Sequence, residues 1–374
     1  MLQNPDDKAT LTQMTDQAFR SEVPRRVADQ LTHILDVQGV PRFFSTFDRL
    51  MLKGFQSFGG YLPGVSVPLV KDKMREETAN VILPAEPEHL SSHLEERRQS
   101  GVRMNLNYLG EALLGEKQAE KRLQTYLEAL RQPWLEVLSV KVSTIYSQIS
   151  SIGREHSINV LCDRMEMLYR AAAESSYERA DGTTAEKFVY LDMEEYRDLD
   201  ITVEVFMRTL DRPGLENISA GIALQAYVPD SFDAQIRITE WAKKRVASGG
   251  SPVCFRLVKG ANMEMERVEA SIAGWPQAPY KVKQDTDANY KRMLHYAYEN
   301  ENIRVMRIGV ASHNLFDLAY ALTLANEKNI LELVQFEMLE GMANPEALAV
   351  KERFGSVLLY SPITSDEEFP SAVA

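Results

Sequence analysis

From about residue 100 the chain alternates short, β-branched apolar runs with longer stretches of helical period. The runs are VRMNLNYL (102–109), EVLSVKVS (136–143), KFVYLDME (187–194), AGIALQAY (220–227), PVCFRLVKG (252–260), IRVMRIGVAS (303–312), LELVQFEML (331–339) and GSVLLYSPI (355–363). Between them lie segments such as GEKQAEKRLQTYLEALRQ and NLFDLAYALTLANEKN, each helical by period or composition. Strand–helix alternation implies parallel strands with right-handed crossovers, and eight such strands predict an α/β (β/α)8 TIM-type barrel. A doubly wound sheet is the alternative, but no GxGxxG opens a first turn.

Residues 1–98 carry a different pattern. EVPRRVADQLTHILDVQG and STFDRLMLKGFQSF place apolar residues at three–four spacing, punctuated by Pro and Gly. The expected organisation is an α-helical arm over 1–98 and a barrel over 99–374. Gly54 to Gly60 follows a helix and lacks the Lys-Ser/Thr of a phosphate loop, so it reads as a bend. After Ile363 only SDEEFPSAVA remains, and Pro370 leaves room for barely one turn. The expectation is a distorted barrel, incomplete at its C-terminus, with the final helix missing. Apolar surface should then lie open beside strands seven and eight, where self-association into a homo-oligomer could cover it.

Composition narrows the class. Against 42 Lys+Arg stand 54 Asp+Glu, a net charge of −12 over 374 residues, which argues against sequence-independent nucleic-acid binding. Cys162 and Cys254 sit in apolar contexts, suggesting a reducing compartment and excluding a disulfide scaffold. No uncharged apolar stretch reaches 18 residues, and MLQNPDDKATLTQ lacks a signal-peptide core. The expected location is cytoplasmic.

In a barrel, chemistry collects at the C-terminal ends of the strands. Those ends carry Asn107 and Glu111, Lys141, Asp192 with Glu194 and Glu195, Gln225, Arg256 with Lys259, Ser312 with His313, Glu337 and Tyr360. Each has a bland reading. Lys141 and Asp192 can pair as a structural ion pair, Asn314 can cap the helix after His313, and Glu111 can sit in a first helical turn. Their recurrence at one level of nearly every strand is harder to explain structurally. RLVKGAN (256–262) is the most informative segment. It supplies two cations, and Gly260 and Ala261 let backbone approach a ligand, which suits phosphate or an anionic ring system. A Schiff base on Lys259 is open on the same residues. His89 and His93 in EHLSSHLEERR have i, i+4 spacing but read as a solvated helix face, with no metal site.

These segments resemble the proline dehydrogenase flavin domain, particularly that of bifunctional proline utilization A enzymes. The resemblance rests on NYLGEALLG (107–115), LSVKVST (138–144), YLDMEE (190–195), ALQAY (223–227), FRLVKGAN (255–262), SHN (312–314), FEMLEGM (336–342) and YSPI (360–363), in the family's order. It implies noncovalent FAD at the barrel mouth, with Arg256 against the flavin and favouring its reduced, anionic form. Met193 and Gln225 would contact the ring system, and Lys259, Gly260, Ala261, Ser312 and His313 the ribityl–pyrophosphate side. Lys141 would pair with the proline carboxylate, Asp192 would orient the clamping cations, and Tyr360 would pack on the pyrrolidine ring. The implied reaction is oxidation of L-proline to Δ1-pyrroline-5-carboxylate, with electrons passed to a quinone. A downstream aldehyde dehydrogenase domain and peripheral contact with the inner membrane belong to the same implication.

Two departures stand out. Asn262 occupies a position where the family often has Tyr. The family's eighth helix carries a Tyr-x-x-Arg-Arg-x-x-Glu motif that binds substrate carboxylate, and this sequence ends where that helix should begin. Weak activity is therefore expected. The competing readings are a flavin-binding but inactive interaction module and a Schiff-base lyase on Lys141 or Lys259.

Overall fold

All eight apolar runs form strands in the computed structural model, which describes residues 10, 13–14, 17–21, 23–42, 46–58, 61–79, 81–110 and 115–369. They are β1 (Arg103–Tyr108), β2 (Val137–Lys141), β3 (Phe188–Asp192), β4 (Gly221–Gln225), β5 (Val253–Val258), β6 (Met306–Ala311), β7 (Val334–Leu339) and β8 (Leu358–Thr364). Successive strands pair parallel to one another. β8 pairs back onto β1, closing the sheet into a barrel. At that seam the Arg103 amide donates to the Val357 carbonyl at 3.2 Å. The strands read as continuous apolar runs because parallel strands are covered on both faces, and β4 is buried along its whole length.

Helices fill the crossovers, and their apolar spacing shows why. Glu116–Arg131 buries Ala119, Leu123, Tyr126, Leu127 and Leu130, a single face at three–four spacing. Leu315–Glu327 starts where expected, with the Asn314 side chain accepting from the Phe316 and Asp317 amides. Met263–Ala273 is an additional helix between β5 and the crossover helix Lys283–Ala297.

Register places the chemistry. Lys141 stands opposite Asp192, Asp192 opposite Ala223, Ala223 opposite Arg256, and Arg256 opposite Gly309. One row across five strands therefore carries two cations and a carboxylate, with the small residues Ala223 and Gly309 on either side of Arg256.

The chain divides into two compact units, one of 91–107 with 111–361 and one of 1–90 with 108–110 and 362–374. In the second of these, the helices Pro24–Gln38, Thr46–Phe58 and Pro63–Thr78 pack around Leu31, Leu35, Leu52, Phe55, Val70 and Met74. Lys71 pairs with Asp366 at 3.0 Å, and Leu83–Pro84 runs parallel to Ile363 and Thr364.

One expectation holds in part and another is corrected. Beside strands seven and eight Val357, Leu358, Leu359, Phe336 and Met338 are buried, but Leu339, Met342 and Leu348 are exposed. That flank carries the C-terminal part of the helix Pro87–Gln99, which precedes β1. His93 and Arg97 bond the buried Glu340 carboxylate at 2.7 and 2.9 Å, and Ser361 donates to the same group. His93 is thus a bonded side chain and not part of a solvated face, whereas His89 is exposed. Among the described residues no cluster of three metal-ligating side chains occurs, and no helix is long and apolar enough to cross a membrane. Gly59, Gly60, Glu111, Pro370 and the final SAVA lie outside the described residues.

Candidate active site

The C-terminal ends of the strands surround a cavity of about 550 Å3. Its lining includes most of the strand-end residues singled out from the sequence, namely Lys141, Asp192, Met193, Gln225, Arg256, Lys259, Gly260, Ala261, Ser312, His313 and Tyr360, together with Glu194 and Glu337 but not Glu195. Asn107, although buried, does not line it.

Arg256 is the centre of the floor. Its side chain is only 4% exposed, an expensive place for a charge unless it is paired. Nη1 donates to Asp192 Oδ1 at 2.8 Å and Nε to Glu337 Oε2 at 2.6 Å. Its guanidinium carbon lies 3.8 Å from the centre of the Tyr190 ring. The two carboxylates outweigh burial and hold the guanidinium protonated. The third nitrogen, Nη2, is buried and has no partner. Tyr360 donates its phenol to the other oxygen of Asp192 at 3.1 Å, and burial with that carboxylate holds it well above the usual phenol range.

Lys141 and Asp192 do not pair with each other, despite their adjacent register. Lys141 Nζ bonds Glu194 Oε1 at 2.5 Å, and Glu194 Oε2 accepts from Ser143 at 3.1 Å. Asp192 is instead committed to Arg256 and Tyr360. The reason is direction: Asp192 is already filled inside the barrel, while Glu194, in the loop beyond β3, reaches back over the rim.

Gln225 ties two loops together. Its amide nitrogen donates to the Glu194 carbonyl at 2.7 Å and the Met193 carbonyl at 3.2 Å, and its oxygen accepts from the Ala261 amide at 3.0 Å. Asn262 adds a bond to the Glu194 carbonyl at 3.1 Å. Gly260 has φ +146°, and a Cβ there would lie 2.4 Å from the Tyr227 ring. Tyr227 by itself therefore demands glycine at this position, which also lines the cavity.

Lys259 sits between two carboxylates, Asp287 at 2.6 Å and Asp317 at 2.7 Å. Its pKa is raised by those acceptors despite partial burial. A Schiff-base amine needs the opposite shift, and Arg256 is directed elsewhere. Neither aspartate was visible as a site residue from sequence. Their only signal was helical position: Asp317 in a first turn, and Asp287 four residues after Lys283, with which it also pairs.

His313 Nε2 accepts from the Leu339 amide at 2.9 Å. The ring proton therefore sits on Nδ1, which is buried with no acceptor. Burial lowers the pKa of this histidine and favours the neutral ring. Ser312 Oγ accepts from the Asn314 amide at 3.0 Å. Two of the residues lining the cavity thus carry an unfilled buried donor, Arg256 Nη2 and His313 Nδ1, beside an apolar lining of Met193, Ala223, Val258, Ala311 and Met338. Such a surface fits a flat, partly apolar ligand with acceptor atoms at its edges.

The family model for proline dehydrogenase matches residues 90–370. The chain belongs to the proline dehydrogenase family. Among solved structures, proline utilization A from Corynebacterium freiburgense is 39% identical over 80% of this chain and 30% of its own, with a TM-score of 0.74. Proline utilization A from Bdellovibrio bacteriovorus, inactivated by N-propargylglycine, is 27% identical over the whole chain and 37% of its own, with a TM-score of 0.77. A variant of proline utilization A from Bradyrhizobium japonicum, 18% identical with a TM-score of 0.68, shares the fold. The chain spans between 30% and 39% of the length of these proteins. No curated protein sequence is significantly similar. As a proline dehydrogenase family member, the chain keeps its candidate site within the matched residues.

Proposed function

We propose that the chain is an FAD-dependent proline dehydrogenase, oxidising L-proline to Δ1-pyrroline-5-carboxylate and passing electrons to a quinone. The observation that carries this reading is Arg256, a buried guanidinium mounted on two carboxylates with one nitrogen unfilled, on the floor of an apolar-lined cavity in a proline dehydrogenase family chain. The unfilled donors and apolar lining fit a flavin, which when bound supplies the hydride acceptor. Met193, Gln225, Arg256, Lys259, Gly260, Ala261, Ser312 and His313 are the residues to hold it.

The chain's own residues prepare the substrate. Lys141 offers its ammonium to the proline carboxylate once Glu194 shares or yields it. Tyr360 packs against the pyrrolidine ring, its phenol fixed by Asp192. Asp192 holds both Arg256 and Tyr360, so one carboxylate positions the floor and one wall. A lyase reading is disfavoured by Lys259, whose two carboxylate partners keep it charged.

The reading extends to partners: an aldehyde dehydrogenase domain that consumes the product, a cytoplasmic location with peripheral membrane contact, and a homo-oligomer. Proline-dependent dye reduction by the purified chain with added FAD tests the activity. Lys141→Ala should raise KM for proline more than it lowers kcat, and an equal fall in kcat with unchanged KM would contradict its role.

A further inference from the structure

We infer that Glu337 is a positioning residue that holds the potential of the cavity's bound redox ring low. The inference rests on the flavin reading above. The sequence reading treats Arg256 as a cation that favours a reduced, anionic ring. The structure changes that balance, because one guanidinium is shared by two carboxylates, Asp192 and Glu337. Together the three groups carry one net negative charge at the cavity floor, and both Arg256 and Glu337 line it.

Glu337 is built in, not incidental. Its side chain is 2% exposed. One oxygen takes Arg256 Nε, and the other accepts from the Tyr190 phenol at 3.0 Å and from Gln335 at 3.3 Å. Tyr190 also underlies the guanidinium face. The space for this carboxylate exists because residue 309 of the neighbouring strand is glycine. A Cβ on Gly309 would lie 2.1 Å from Glu337 Oε1. Tyr190, Gly309 and Glu337 therefore form one support that fixes Arg256 with Nη2 unfilled.

A fixed negative charge as buried as this one opposes the gain of electron density by a neighbouring ring. Removing the Glu337 charge leaves the Arg256–Asp192 pair neutral and should favour the reduced ring. The test is the midpoint potential of FAD bound to the full chain, measured by dye equilibration for the parent, Glu337→Gln and Glu337→Asp. Glu337→Met serves as a second charge-removing variant. The expected result is a shift of about tenfold toward the reduced form in the Gln and Met variants, about 30 mV for a two-electron couple, with the Asp variant close to the parent. An unchanged or lowered potential in flavin-loaded Gln or Met protein overturns the inference and leaves the flavin reading standing. A parent chain that takes up no FAD overturns both.

Discussion

Asp192 Oδ1 lies 2.8 Å from Arg256 Nη1, while its other oxygen receives the Tyr360 phenol. One carboxylate therefore joins β3 to β5 and β8 across the barrel interior. Removing Arg256 would leave Asp192 and Glu337 buried without their cation. Arg256→Ala should lose bound flavin and also about 3–5 kcal/mol of stability, the usual result of deleting one partner of a buried ion pair. Denaturant titration and flavin content check the two effects separately.

Lys259, enclosed by Asp287 and Asp317, should form no imine. Borohydride treatment with aldehyde or keto-acid substrates should leave its mass unchanged. Asp287→Asn together with Asp317→Asn frees this ammonium and should alter affinity for FAD, read by fluorescence titration.

Gly260 combines a positive φ with a ring 2.4 Å from any Cβ. Gly260→Ala must move Tyr227 or the loop that carries Ala261 and Asn262. A loss of about 1–3 kcal/mol is expected from backbone strain, with weakened flavin retention because Ala261 is tied to Gln225. Thermal unfolding with and without FAD measures both.

Asp198 is buried, and its carboxyl is pushed up to about 6 by burial first; Arg197 opposes the shift, and the charges of Glu194, Glu269 and Glu266 add to it. A carboxylate with a raised folded pKa costs stability as pH rises from its unfolded value, near 4, through 6. Asp198→Asn should therefore stabilise the protein at pH 8 by about 1–3 kcal/mol, and the gain should fade toward pH 4. His313 acts in the other direction: its lowered pKa keeps the ring neutral, so stability present above pH ~6.5 is lost as pH falls through the folded value. Urea unfolding across pH 4–8 for Asp198→Asn and His313→Gln separates the two groups.

The barrel was legible because parallel strands leave an unusually plain signal, as in AGIALQAY and VCFRLV, and the eight expected runs contain the eight observed strands apart from one residue, Thr364, at the end of β8. The lining of the site was legible from the level of polar residues at the strand ends. Partnerships within it were less so. Lys141 reaches Glu194 and not its register neighbour Asp192, because which carboxylate is already filled depends on Arg256, 64 residues from Asp192. The covering of β7 and β8 by residues that precede β1 could not be read from local periodicity either. It depends on Glu340 meeting His93 and Arg97 across a separation of more than 240 residues.

The most direct test is anaerobic. The purified chain loaded with FAD should show a flavin absorbance band that L-proline bleaches, with slower or weaker bleaching in Lys141→Ala. A chain that takes up no FAD, or one whose flavin band is untouched by L-proline, would contradict the account.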